Sequence, residues 1–253
     1  MSRSVERTLW LIRHAHRLDW ADPCWARTAE RPHDPPLSDT GRQQARRIAQ
    51  RLAAVPIAHI FVSPFLRTIE TAVPLAAVHG LPMAIEPGFS EWLNVAWFPE
   101  PPETAPLSKL RARFPIDCGY RPRATARYGE SGREALDRAG KTMRQLLRDF
   151  DGNLVIVGHG ASVLGAARSV LGTDEPGPDQ SAQGDDGERD DQDDPVALPP
   201  GLPRELPHGC IIRIERYRGE WHLAGMETTD VGSEPASSDD TVPRSPDEKG
   251  QSA

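Results

Sequence analysis

Thr8-Leu9-Trp10-Leu11-Ile12 is a short apolar run that ends abruptly at Arg13-His14, and Asn153-Leu154-Val155-Ile156-Val157 ends the same way at Gly158-His159-Gly160. Apolar runs of this length read as strands buried on both faces. Ala58-His59-Ile60-Phe61-Val62 is a further buried-strand candidate, and Met83–Ile85 a short third. Helical spacing fills the gaps. Ala45, Ile48, Ala49, Leu52 and Ala53 mark a helix at about 41–54, and Ala135, Leu136, Ala139, Met143, Leu146 and Leu147 mark one from Glu134 to Phe150. Strands alternating with helices predict a three-layer α/β/α fold with a mostly parallel central sheet. Ligands of such sheets bind beyond the carboxyl ends of the strands. His14 and His159 each follow such an end, so they are expected to converge.

Local signals set the expected boundaries. Thr40 with Gln43 three residues on reads as a capping box. Ser63-Pro64 reads as an N-cap with a first-turn proline. Pro74 should kink or restart that helix, and Gly80 should end it. Residues 19–37 read as a loop, and 86–129 as irregular with a short helix at 105–113. A helix from Gly160 reaches about Leu171. Cys210–Glu215 and Trp221–Ala224 read as strands joined by a turn at Arg218-Gly219.

Hydrophobic residues make up 38% of the 253, mean hydropathy is -0.53, and there are 25 Pro and 21 Gly, so part of the chain lies outside a core. The net charge of -7 is unevenly spread. Residues 174–194 carry ten Asp/Glu and one Arg, and 230–253 carry six Asp/Glu and two Lys/Arg; the remainder is mildly basic. That suits an anionic ligand and lacks the dense basic patch of a nucleic-acid binder. The acidic, Gly- and Pro-rich stretch at about 172–205 is expected to be a disordered or flexible insertion, and 230–253 a disordered tail, leaving one domain over 1–229. Cys24, Cys118 and Cys210 form no C-x-x-C pair, which argues against a disulfide framework or zinc site. No run suits a signal peptide or membrane span, so a cytoplasmic protein with no membrane partner is expected.

Near the predicted strand ends lie His14, His159, Arg13, Arg17, Arg67 and Glu91. Together they supply what phosphoryl transfer to a histidine needs. A neutral imidazole attacks, arginine forks hold the equatorial oxygens, and a carboxylic acid protonates the leaving oxygen. Taken singly these residues have plain readings: a surface Arg-His pair, a solvated helix arginine, a capping histidine. Glu86 and Glu100 compete with Glu91 for the acid's role, and Arg17 could turn to solvent. Trp92, Trp97 and Phe98 could line a pocket or simply pack.

Leu11-Ile12-Arg13-His14-Ala15 resembles the Arg-His-Gly signature of the histidine phosphatase superfamily, also called phosphoglycerate mutase-like. The blocks Pro36–Ala45, Ser63–Ala72 and Val157–Gly160 resemble its later motifs, in the family's order, and Gly129-Glu130-Ser131 the lead-in to its late helix. The resemblance covers residues 8 to about 228. It implies that His14 is phosphorylated, Arg13 and Arg67 clamp the phosphate, His159 donates to it, and Glu91 is the proton donor. It implies no metal and no organic cofactor. The substrate would be a phosphorylated small molecule or phosphoprotein, and analogy with relatives suggests a homodimer. Arg13-His14-Ala15-His16-Arg17-Leu18-Asp19, with Glu91-Trp92, resembles the branch of the suppressors of T-cell receptor signalling, where the second arginine, here Arg17, also binds phosphate. Ala15 stands where the pattern has Gly, and His16 where it has Glu. The expected activity is phosphomonoester hydrolysis. The alternatives are a phosphoglycerate-type mutase, against which the absence of a Glu-Ser-x-Trp-Asn run after His14 weighs, and a non-catalytic phospho-ligand binding module.

Overall fold

The computed structural model describes residues 4–172 and 198–229. Its centre is a six-stranded sheet in the order β3-β2-β4-β1-β5-β6. The strands are β1 (Arg7–Arg13), β2 (His59–Val62), β3 (Met83–Ile85), β4 (Leu154–Gly158), β5 (Cys210–Tyr217) and β6 (Glu220–Thr228). β1 to β4 run parallel, and β5 and β6 form an antiparallel hairpin on β1. That hairpin closes on Arg218 and Gly219, both at positive φ as a tight hairpin turn requires.

Strand alternation explains why the central runs are apolar throughout. Leu9, Leu11, Phe61, Leu154 and Ile156 face one layer, packed with Ala139, Met143 and Leu146 of α5 (Gly132–Asp149) and Val163 and Ala167 of α6 (Gly160–Leu171). Trp10, Ile12, Ile60, Val62, Val155 and Val157 face the other layer. There they meet Ile48 and Leu52 of α2 (Asp39–Leu52) and Ile69, Ala72 and Leu75 of α3 (Leu66–His79). The three-layer α/β/α expectation holds. α5 and α6 approach closely because position 165 is glycine: a Cβ there would lie 2.3 Å from the Leu136 carbonyl oxygen. A short helix, α1 (Leu18–Ala21), interrupts the expected loop at 19–37, and α4 (Leu107–Arg113) is the expected short helix.

Several boundaries differ from the sequence reading. α2 is capped by Ser38, whose Oγ accepts from Gly41 N at 3.1 Å; Thr40 and Gln43 lie inside the helix. Ser63 and Pro64 precede α3, and its first amide, Leu66 N, donates at 2.7 Å to Asp34 Oδ1 from a distant loop. Pro74 does not break α3, because buried Ile69, Ala72, Leu75 and Ala76 hold both sides of it in one continuous helix. Residues 198–205, assigned by composition to the insertion, are placed against the core: Leu202 is buried and Leu198 packs on the same cluster. The remainder of that insertion, 173–197, and the tail 230–253 lie outside the described residues. The irregular segment 86–124 is pinned by buried Glu86, which accepts from Gly88 N (2.8 Å), Arg123 N (2.7 Å), Ala124 N (3.2 Å) and the Tyr120 hydroxyl (2.5 Å). Among the described residues no helix is long and apolar enough to cross a membrane.

Candidate active site

Register places the two key histidines. Arg13 pairs with Gly158 across β1 and β4, and His14 N continues the ladder to Gly158 O at 2.9 Å. His14 and His159 therefore leave adjacent parallel strands side by side, with ring centroids 5.2 Å apart. On the far side of β4, Ser63 follows β2 and its amide reaches Val157 O at 3.0 Å. Its hydroxyl lies 2.8 Å from His159 Nε2. Ser63, expected to cap a helix, instead positions a histidine ring.

The His14 ring is buried, and its Nδ1 lies 2.8 Å from the Ala15 carbonyl. A carbonyl only accepts, so Nδ1 carries the proton and Nε2 keeps its lone pair. Burial, then the Arg67 charge and the neighbouring His159 and His208 rings, hold the ring well below its ordinary pKa, so it is neutral at physiological pH. Arg67, from the first turn of α3, is fully buried, with its guanidinium 4.4 Å from the Phe65 ring centroid. Its Nη2 lies 3.3 Å from both Glu91 Oε2 and His159 Nδ1. Burial pushes Arg67 down to about 10 against the pull of Glu91, which leaves it charged. Arg13, at the end of β1, donates from Nη1 to the Leu206 carbonyl. The Nε of Arg13 and that of Arg67 are both buried without a hydrogen-bond partner among the described residues.

Glu91 is brought to the same point, its Oε2 3.2 Å from His159 Nδ1 and its Oε1 accepting from Trp92 N at 3.1 Å. Burial alone would raise its carboxyl; the His159 ring, the Arg67 guanidinium and the Trp92 amide outweigh it and hold the carboxyl below its usual range. Burial lowers His159 to about 4. The competing carboxylates are elsewhere: Glu86 is spent on its backbone contacts, and Glu100 is exposed. Arg17 forks onto Asp19 through Nε and Nη2, while its charge still bears on Arg13 and Arg67. His16 is tied through Nδ1 to Ser38 Oγ at 2.8 Å. Trp92 meets Trp97 edge to face, with ring centroids 5.0 Å apart.

Two features escaped the sequence reading. Arg138, on α5, donates to Glu130 (2.6 and 2.9 Å) and to the carbonyls of Gly88 (2.8 Å) and Glu91 (3.2 Å), clamping the loop that bears Glu91. Only the 129–131 block hinted at it. His208 lies 5.1 Å from the His14 ring, with no local signal in its sequence to mark it.

Chemically the site pairs a neutral, buried imidazole with fixed positive donors and one carboxylate. His14, Glu91 and His159 each offer one atom to a cation, all within 4.8 Å. Arg67 already puts a positive charge against two of them, so the space suits an anion better.

A family model described as histidine phosphatase superfamily (branch 1) matches residues 9–186. The chain belongs to this superfamily. An ecdysteroid-phosphate phosphatase of Drosophila melanogaster is 28% identical over 212 residues, covering 68% of this chain and 28% of that protein. The transcription factor tau 55 kDa subunit of Saccharomyces cerevisiae is 28% identical over 199 residues, 72% of this chain and 45% of that one. The chain thus spans less than half the length of these curated relatives. Among solved structures, the ecdysone phosphate phosphatase of Bombyx mori, in complex with tungstate, matches with a TM-score of 0.65 at 21% identity, covering 92% of this chain and 96% of that chain. At that identity the likeness shows a shared fold.

Proposed function

We propose that this chain is a phosphomonoesterase that works through a phosphohistidine on His14 Nε2. The observation that carries the reading is a buried, neutral His14 with its lone pair on Nε2, set among Arg13, Arg67, His159 and a nearly buried Glu91. Superfamily membership supports it, and the likeness to an ecdysteroid-phosphate phosphatase favours a phosphorylated small molecule as substrate.

In the first step Nε2 attacks phosphorus, the P–O ester bond breaks, and Glu91 gives its proton to the leaving oxygen. Arg13, Arg67 and His159 hold the equatorial oxygens, where charge lies in the transition state. In the second step Glu91 takes a proton from water, the hydroxide attacks phosphorus, and the P–N bond breaks to restore neutral His14. Without ligand, Glu91 is ionised. An arriving phosphate competes for Arg67 and His159 and sets negative charge beside the carboxyl; both effects raise it towards the protonated form an acid needs. The branch resemblance through Arg17 requires that its fork exchange Asp19 for phosphate.

The test is to incubate the protein with p-nitrophenyl phosphate, quench in base, and look by mass spectrometry for phosphate on His14. An adduct that builds up in Glu91→Ala and is absent from His14→Ala is expected. Equal hydrolysis by His14→Ala and the parent would overturn the reading.

A further inference from the structure

His208 precedes β5, on the stretch 206–209 that walls the site. We infer that His208 is a further contact for the transferred phosphoryl group, its Nε2 meeting a phosphoryl oxygen beside His14. The inference rests on the phosphatase reading above.

Placement comes first. The His208 ring lies 5.1 Å from His14, as close as His159 at 5.2 Å. Its backbone is built onto the nucleophile's own strand. Gly209 N donates to His14 O at 3.1 Å, and the Leu206 carbonyl accepts from Arg13. Buried Gln44 bridges the two neighbouring segments: its Oε1 accepts from His16 N at 2.9 Å, and its Nε2 faces the His208 carbonyl at 3.5 Å. Gly209, at φ 69, lets the chain turn there.

The second observation is an unmet bonding group. His208 Nε2 is buried and has no hydrogen-bond partner among the described residues. Packing accounts for the ring carbons, since Trp20 stands edge-on at 4.7 Å and His16 at 5.6 Å. It does not account for a buried polar nitrogen, which costs stability unless something pairs with it. The charged and titratable groups facing the ring are Arg13, His16, Arg17 and Arg67, with His14 alongside. Burial and these cations push His208 down to about 3. A phosphoryl group drawn to the same arginines would meet Nε2 and supply the missing partner. The neutral ring would donate N–H, and the anion's charge would favour taking up a proton as it binds.

The experiment measures inorganic phosphate binding by calorimetry and p-nitrophenyl phosphate turnover for the parent, His208→Ala and His208→Gln. His208→Ala should weaken phosphate binding about tenfold. His208→Gln keeps an N–H donor and should recover most of the loss. In 15N-histidine NMR the His208 Nε2 resonance of the parent should move as phosphate is added; this readout stands even if His208→Ala fails to fold. Unchanged phosphate affinity in a folded His208→Ala, or an Nε2 resonance indifferent to phosphate, would sink the inference while leaving the phosphatase reading intact. A parent that neither binds phosphate nor turns over would overturn both.

Discussion

The site is assembled from two kinds of backbone. His14 and His159 stand at the ends of adjacent parallel strands, where the β1–β4 ladder fixes their separation through backbone pairs. Glu91 and His208 stand on irregular segments with no ladder. Glu91 is held by Arg138, and the backbone beside His208 by Gln44 and the His14 carbonyl. That contrast marks where the site is fragile. A strand-borne group keeps its place as long as the sheet exists; a loop-borne group depends on one or two buried side chains.

The comparison sharpens into mutations of graded severity. His14→Ala should lower kcat at least about ten-thousandfold with fold intact, seen in steady-state rates and circular dichroism. In Glu91→Ala the phosphorylation step, read as the pre-steady-state burst, should slow about a thousandfold with an alkyl phosphate and much less with p-nitrophenyl phosphate, whose leaving group needs no proton. A burst slowed equally for both leaving groups would remove Glu91 from the acid's role.

Breaking the clamps comes next. Arg138→Ala leaves the Glu130 carboxylate buried without its partner, and should destabilise the fold by about 3 kcal/mol in urea titrations. It should also bring part of the leaving-group dependence of Glu91→Ala. Gln44→Ala should cost about 1 kcal/mol and weaken phosphate binding more than it slows the leaving-group step. If the two clamp variants behave alike, the site is one cooperative unit and the division by backbone type fails.

The smallest effect is on pH. His14, His159 and His208 have folded-state values below the ordinary 6.5, the latter two at about 4 and about 3. Between those values and 6.5 the unfolded chain binds more protons than the folded one, so stability falls as pH drops through that window. Melting temperature should decline from pH 7 towards pH 4, with a shallower slope in His208→Gln.

Much of this was legible in the chain. The apolar runs at 8–12 and 153–157 predict buried strands because both faces of each are covered, which leaves no polar alternation. The residues following them predict the His14–His159 pair, since parallel strands end on one edge. Ser63 was misread as a cap because the competing partner, His159, lies far along the chain. Pro74 was misread because local sterics favour a break that burial of α3 overrides. Leu202 was lost in the acidic composition around it, although it packs on the core.

The three-layer fold, the strand-end histidines and the motif arginines can be read from the chain, because periodicity, burial on two faces and short-range motifs are local properties. Which nitrogen of His14 is free, which glutamate faces His159, where Arg138 clamps and that His208 stands beside His14 emerge from the folded chain alone. Those depend on hydrogen bonds and burial between segments far apart in the chain, and no local pattern encodes them.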